Sequence, residues 1–181
     1  MRTLATELAF YGAYHSNFAN QIVHLIFVPL ILWSAFILLG LIHRSLAFAL
    51  WIAYSLFFLS LDPAVGMFAS CFYFLVWYSA DVIVRRTEKQ GPKAVPSISR
   101  KQAIFLGCFA QVLSWTIQVF VGHYIFEGTK PTLLDSITQA FSLAPFFVIY
   151  EALWMIIPGF RADVKLEVQK HIAIIHSQWG K

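Results

Sequence analysis

Apolar residues run through this chain in long stretches broken by short polar ones, and the lengths of those stretches predict helices that cross a membrane. Thr3 to Tyr14 has Leu4, Leu8 and Tyr11 on one face, with His15 next on the same stripe, the spacing of a short helix with one buried side. Ser16 and Asn17 form a break, and either can cap a following helix. From Gln21 to Ile42 the one titratable side chain is His24. Those 22 residues, rising about 1.5 Å each, suffice to cross a hydrocarbon layer about 30 Å thick. Leu46–Leu61 predicts a second, rather short span, Asp62-Pro63 a turn and helix start, and Ala64–Val84 a third span with Asp81 near its end. Gln102–Gly122 is a fourth span, and Ser136–Ile157 a fifth apolar stretch, with Pro145 expected to kink it and Glu151 embedded in it. Thr132-x-x-Asp135 has the form of a capping box for that stretch. The polar remainder is a 1–17 N-terminal helix, an 85–101 basic loop and a 160–181 amphipathic tail.

The expected fold is therefore all-α, a polytopic membrane helix bundle of about five apolar helices plus a short N-terminal helix. No linker or internal repeat divides the 181 residues, so one domain over 1–181 is expected. Composition agrees: 59% of residues are hydrophobic and 12% charged, against roughly 25% charged in soluble domains, too few to clothe a water-soluble globule. Cys71 and Cys108 sit in apolar runs and are expected to be buried free thiols.

Charge bears on topology. If all five runs cross, the 43–45 junction, the 85–101 loop and the tail share one side, which then holds eleven Lys and Arg; the other side has Arg2 and Lys130. Short basic segments stay cytosolic, so the basic side is expected to be the cytosol. The net charge of +4 is thus accounted for without nucleic acid, and no nucleic-acid role is expected.

The same alternation brings His15 and His24, at the mouth of the first span, to the membrane level of His123 at the end of the fourth, with Glu127 one turn beyond. Such polar clusters are expensive in a membrane and are functional candidates by default. Imidazole with carboxylate is a ligand set for non-haem iron(II), and zinc accepts much the same set. His15 and His24 lie on opposite faces of any straight helix, so the chain must bend at Ser16-Asn17 to bring them together. Asn17, Asn20 and His24 share a face, and the asparagines suit outer hydrogen bonds that orient an imidazole. Gln118, Asp81 and Glu151 are expected to face the bundle interior, whereas His43, His171 and His176 read as interfacial or solvated. The chain lacks H-x-x-H-H boxes, H-E-x-x-H, G-x-S-x-G, Walker A and G-x-G-x-x-G, which sets aside di-iron desaturases, zincins, lipases and nucleotide enzymes.

Phe10-Tyr11-Gly12-Ala13-Tyr14-His15-Ser16-Asn17, with Asn20, His24 and Phe27-Val28-Pro29, resembles the N-terminal motif of the fungal 2-hydroxy-fatty-acid dioxygenase family. Gln118 to His123 through Phe126-Glu127 and Lys130-Pro131 resembles its second signature, continued by Asp135, Gln139 and Ala144-Pro145-Phe146-Phe147 to Glu151. The likeness is weakest in spans two and three, the basic loop and the tail. It implies an iron(II) enzyme of the endoplasmic reticulum (the inner membrane if the source is bacterial) that uses O₂ to shorten 2-hydroxy long-chain fatty acids by one carbon during phytosphingosine breakdown. It implies His15, His24 and His123 as iron ligands and Glu127 as the next candidate; Asn17, Asn20 and Gln118 are the expected supports around them. Lys130 is a candidate partner for the substrate carboxylate. The family's motif can place a histidine where this chain has Ser16, so that position is not a required ligand. The readings set against it are a non-catalytic lipid-binding membrane protein and a zinc-dependent lipid hydrolase.

Overall fold

The computed structural model describes residues 3–88, 97–131 and 137–179. Its elements are all helical: α1 (Leu4–Gly12), α2 (Phe18–Ile42), α3 (Arg44–Leu61), α4 (Pro63–Arg85), α5 (Arg100–Thr116) running on as a π-helical segment (Ile117–Glu127), α6 (Ile137–Ser142), α7 (Ala144–Ile156) and α8 (Ala162–Gln178). The helices α2, α3, α4 and α5 with its π segment are long and apolar enough to cross a membrane. The capping-box expectation at Thr132 and Asp135 falls outside the described residues.

The chain forms two compact units: residues 1–28 with 116–181, and residues 29–115. In the second, α3 and α4 make a tight hairpin. Asp62 alone joins them, its carboxylate accepting from the Ala64 and Val65 N–H groups at 2.9 and 3.2 Å, with Pro63 in the first turn where its missing donor costs nothing. Gly66 follows because a side chain there would strike the Phe58 backbone. Close approach of this kind is how helices pack where lipid removes any hydrophobic drive between them. Trp51 Nε1 donates to the Ser70 carbonyl at 3.1 Å across the hairpin.

In the first unit, α1 is capped by Thr3, whose hydroxyl accepts from Thr6 N–H at 3.3 Å, and it buries Leu8 and Ala9 completely. The chain then leaves the helix at Ala13 and restarts at Phe18, with Asn17 Oδ1 accepting from Ala19 N–H at 2.8 Å. This is the bend that the histidine spacing requires. His15 lies in it, beyond the helix end.

Four expectations change. Pro145 starts a helix instead of kinking one: Leu143 separates α6 from α7, and Pro145 sits in the first turn of α7. With 13 residues, α7 rises about 20 Å and falls short of a bilayer core. The tail also does not stand apart on the far side. α8 lies along α1, and its His176 Nε2 donates to the Ala13 carbonyl at 2.8 Å. Gly159 and Arg161, both at positive φ, make the reversal that returns it. Cys71 and Cys108 are free, as expected, but exposed on helix surfaces that face outward.

Candidate metal centre

His15, His24 and His123 converge in the first unit, from the α1–α2 bend, the second turn of α2 and the π segment. One ring nitrogen of each lies within 4.8 Å of the other two. Ring centroids are 4.2 Å apart for His15 and His24, 4.9 Å for His15 and His123, and 5.0 Å for His24 and His123, all edge to face. None of the three is more than 3% exposed.

Backbone carbonyls set the tautomers. His15 Nδ1 lies 2.7 Å from the Tyr11 carbonyl and His24 Nδ1 lies 3.0 Å from that of Asn20, each four residues earlier. A carbonyl only accepts, so both rings carry their proton on Nδ1 and present a lone pair on Nε2. His15 Nε2 and His123 Nδ1 are buried and make no hydrogen bond. Orphaned nitrogens this deep are costly unless something else takes them up. Burial first, then the His24 and His123 rings, hold the His15 imidazole well below its ordinary range, so it is neutral, the form that ligates. Neutral, oriented, convergent imidazoles fit a borderline divalent ion.

The polar residues around the triad hold the chain more than the rings. The Glu127 carboxylate accepts from the Ser16 and Asn17 N–H groups at 2.8 and 3.0 Å and from Asn20 Nδ2 at 3.0 Å. It pins the bend that carries His15 to the end of the π segment. Asn17 Nδ2 donates to the Phe126 carbonyl at 2.8 Å, and Asn20 Nδ2 lies 3.3 Å from that of Tyr14. The His15 and His24 rings are thus oriented by backbone carbonyls, while the asparagine side chains clamp the loop. Gln118 is buried on the π segment, as are Asp81 and Glu151 on α4 and α7. Lys130 is not with the histidines. It lines a cavity of about 700 Å³ with Phe10, Tyr14, Ile175 and Trp179.

Two contributors carry little sequence signal. Tyr11 supplies the carbonyl for His15 and stacks on its ring at 4.2 Å, its own phenol pushed well up by burial and then by the Glu151 carboxyl. Gly122 lets α2 press against the π segment, since a Cβ there would strike Asn20 Oδ1 and crowd His24 Cε1 at 3.3 Å. The π form itself, often a mark of function, is not legible in the residues.

Residues 1–156, which include all three histidines, match the family described as Mpo1-like, 2-hydroxy-palmitic acid dioxygenase Mpo1-like. The chain is 32% identical over 178 residues to the 2-hydroxy-palmitic acid dioxygenase MPO1 of Saccharomyces cerevisiae, covering 94% of this chain and 90% of the yeast protein. No solved structure matches.

Proposed function

The chain belongs to the Mpo1-like family, and on that footing we propose that it is an iron(II)-dependent dioxygenase that shortens 2-hydroxy long-chain fatty acids by one carbon. The observation that carries this reading is the buried three-histidine cluster, with two ring nitrogens left without partners.

His15, His24 and His123 would hold the ion. Iron(II) bound there supplies the redox chemistry by which O₂ cleaves the bond between C1 and C2 of the substrate. The protein's own work is orientation and exclusion of water. The Tyr11 and Asn20 carbonyls fix two ligand rings, and Glu127 keeps the His15 loop against the π segment, so the donors are set before any ion arrives. Tyr11 and Phe147 cover His15, their rings 4.7 Å apart and Phe147 5.9 Å from the imidazole, which keeps that side dry. With the Glu127 carboxylate engaged by three donors, the triad would offer an ion nitrogen ligands only. Lys130, in the cavity it lines with Phe10 and Tyr14, is the cation proposed to hold the substrate carboxylate. The setting proposed for this chemistry is the endoplasmic reticulum membrane, or the inner membrane in a bacterium.

The test is metal analysis of detergent-purified protein, anaerobic iron(II) loading and assay of 2-hydroxypalmitate with O₂. Expected are about one iron per chain, a product one carbon shorter, and loss of both in His15→Ala, His24→Ala and His123→Ala. Tightly bound zinc with lipid hydrolysis and no oxygen uptake would establish a hydrolase instead. A metal-free protein indifferent to all three substitutions would leave a lipid-binding role.

A further inference from the structure

We propose that the second unit carries a binding site for the phosphate headgroup of an anionic membrane phospholipid, in a cavity of about 600 Å³ where the end of α2 and the starts of α3 and α5 meet the end of α4. Its polar lining is His43, Arg44, Ser45, Asp81, Glu88 and Arg100.

The cavity is organised by a buried acid. The Asp81 side chain is 4% exposed and accepts from Arg44 Nε at 2.7 Å, Arg44 Nη2 at 3.1 Å and Arg85 Nε at 2.7 Å. One guanidinium would suffice to neutralise it, yet it fixes two. Arg44 Nη1 and both terminal nitrogens of Arg85 have no hydrogen-bond partner among the described residues, and the two side chains are 40% and 51% exposed. They are rigid donors held at a surface, the arrangement that suits planar recognition of a phosphate.

A third cation removes an obstacle. Arg100 Nη2 donates to the Leu41 carbonyl at 2.5 Å, so this acceptor in the last turn of α2 does not confront an incoming anion. The first turn of α3 lines the same cavity and contributes the positive end of its dipole. The lining itself sets Arg44 and Arg100 against Asp81 and Glu88, and Arg85, held on the same Asp81 carboxylate from outside that lining, adds the one positive charge in excess that a phosphodiester neutralises. His43 is turned to capping, its Nδ1 accepting from Ser45 N–H at 3.2 Å.

The apolar rim selects a lipid over a free anion. Phe48 and Trp77 wall the cavity and join Trp51 and Phe74 in a cluster with centroids 5.2–6.1 Å apart. Aromatic side chains beside basic ones, at the ends of membrane-crossing helices, are what the headgroup level of a bilayer calls for.

The experiment uses the full chain purified in detergent and titrated with short-chain phosphatidylglycerol, phosphatidylcholine or inorganic phosphate, read by native mass spectrometry and thermal unfolding. Saturable binding of one phosphatidylglycerol, at least tenfold tighter than phosphatidylcholine, is expected. Arg85→Gln should weaken it about tenfold and Arg85→Lys less, while Glu88→Gln should tighten it. Metal content, set by the histidines, should not change in any of these variants. Equal binding of the two lipids, affinity unmoved by both Arg85→Gln and Glu88→Gln, or inorganic phosphate binding as tightly as the lipid would each overturn the proposal.

Discussion

At the scale of single residues, Glu127 and Gly122 act on the three-histidine cluster without belonging to it. Glu127 offers a charged acceptor to two backbone N–H groups and an asparagine at once. Hydrogen bonds to an ionised partner are each worth about 1.5–3 kcal/mol. Glu127→Gln keeps one acceptor oxygen and loses the charge, so it should destabilise the protein by about 2 kcal/mol and weaken metal binding, as read by thermal unfolding with and without iron(II). Gly122→Ala tests the opposite failure, an added atom where α2 and the π segment touch. Overpacking of this sort costs about 1–3 kcal/mol, and here the strain falls on Asn20 and His24. Metal affinity should drop at least tenfold in a chelator competition, with helix content by circular dichroism unchanged. That His15, His24 and His123 belong together was legible in the residues; that Glu127 is engaged by the loop instead of the triad was not, because hydrogen bonds to backbone amides leave no mark on residue type.

Among the elements, the π segment matters most. It follows α5 without a break and carries Gln118, Gly122, His123 and Glu127. Its register fixes where the third histidine points. Deleting Val121 should rotate His123 away from the other two histidines and abolish metal binding while the protein still inserts and stays helical, which metal analysis beside circular dichroism would show. The four long apolar helices were predictable to within a few residues, since apolar length is a one-dimensional property. The fifth stretch was misjudged for the same reason. Residues 137–156 are mostly apolar, but a break at Leu143 leaves α7 too short to span, and hydropathy does not register such breaks.

For the whole molecule, the docking of α8 on α1 alters the topology argument. If the four long apolar helices are the ones that cross, α8 against α1 would put Arg161, Lys165 and Lys170 on the side of the triad. The expected excess of eleven basic residues against two would then shrink by those three, and charge would orient the protein less firmly. Both termini should then be accessible from one face. With Cys71 and Cys108 replaced by serine, Thr3→Cys and Ser177→Cys should react together with a membrane-impermeant maleimide in sealed vesicles. Labelling of one and protection of the other would restore five crossings.

The sequence by itself determined that this is a helical membrane protein, where its long spans run and which three histidines meet, because apolar run length and residue chemistry are read along the chain. The tertiary structure alone decided which nitrogens face inward, what Glu127 holds and on which side the tail lies. Those depend on contacts between segments more than a hundred residues apart, such as Ser16 with Glu127 and Ala13 with His176. Such contacts follow from how short helices turn back on one another, which polar backbone groups decide and side-chain hydropathy does not.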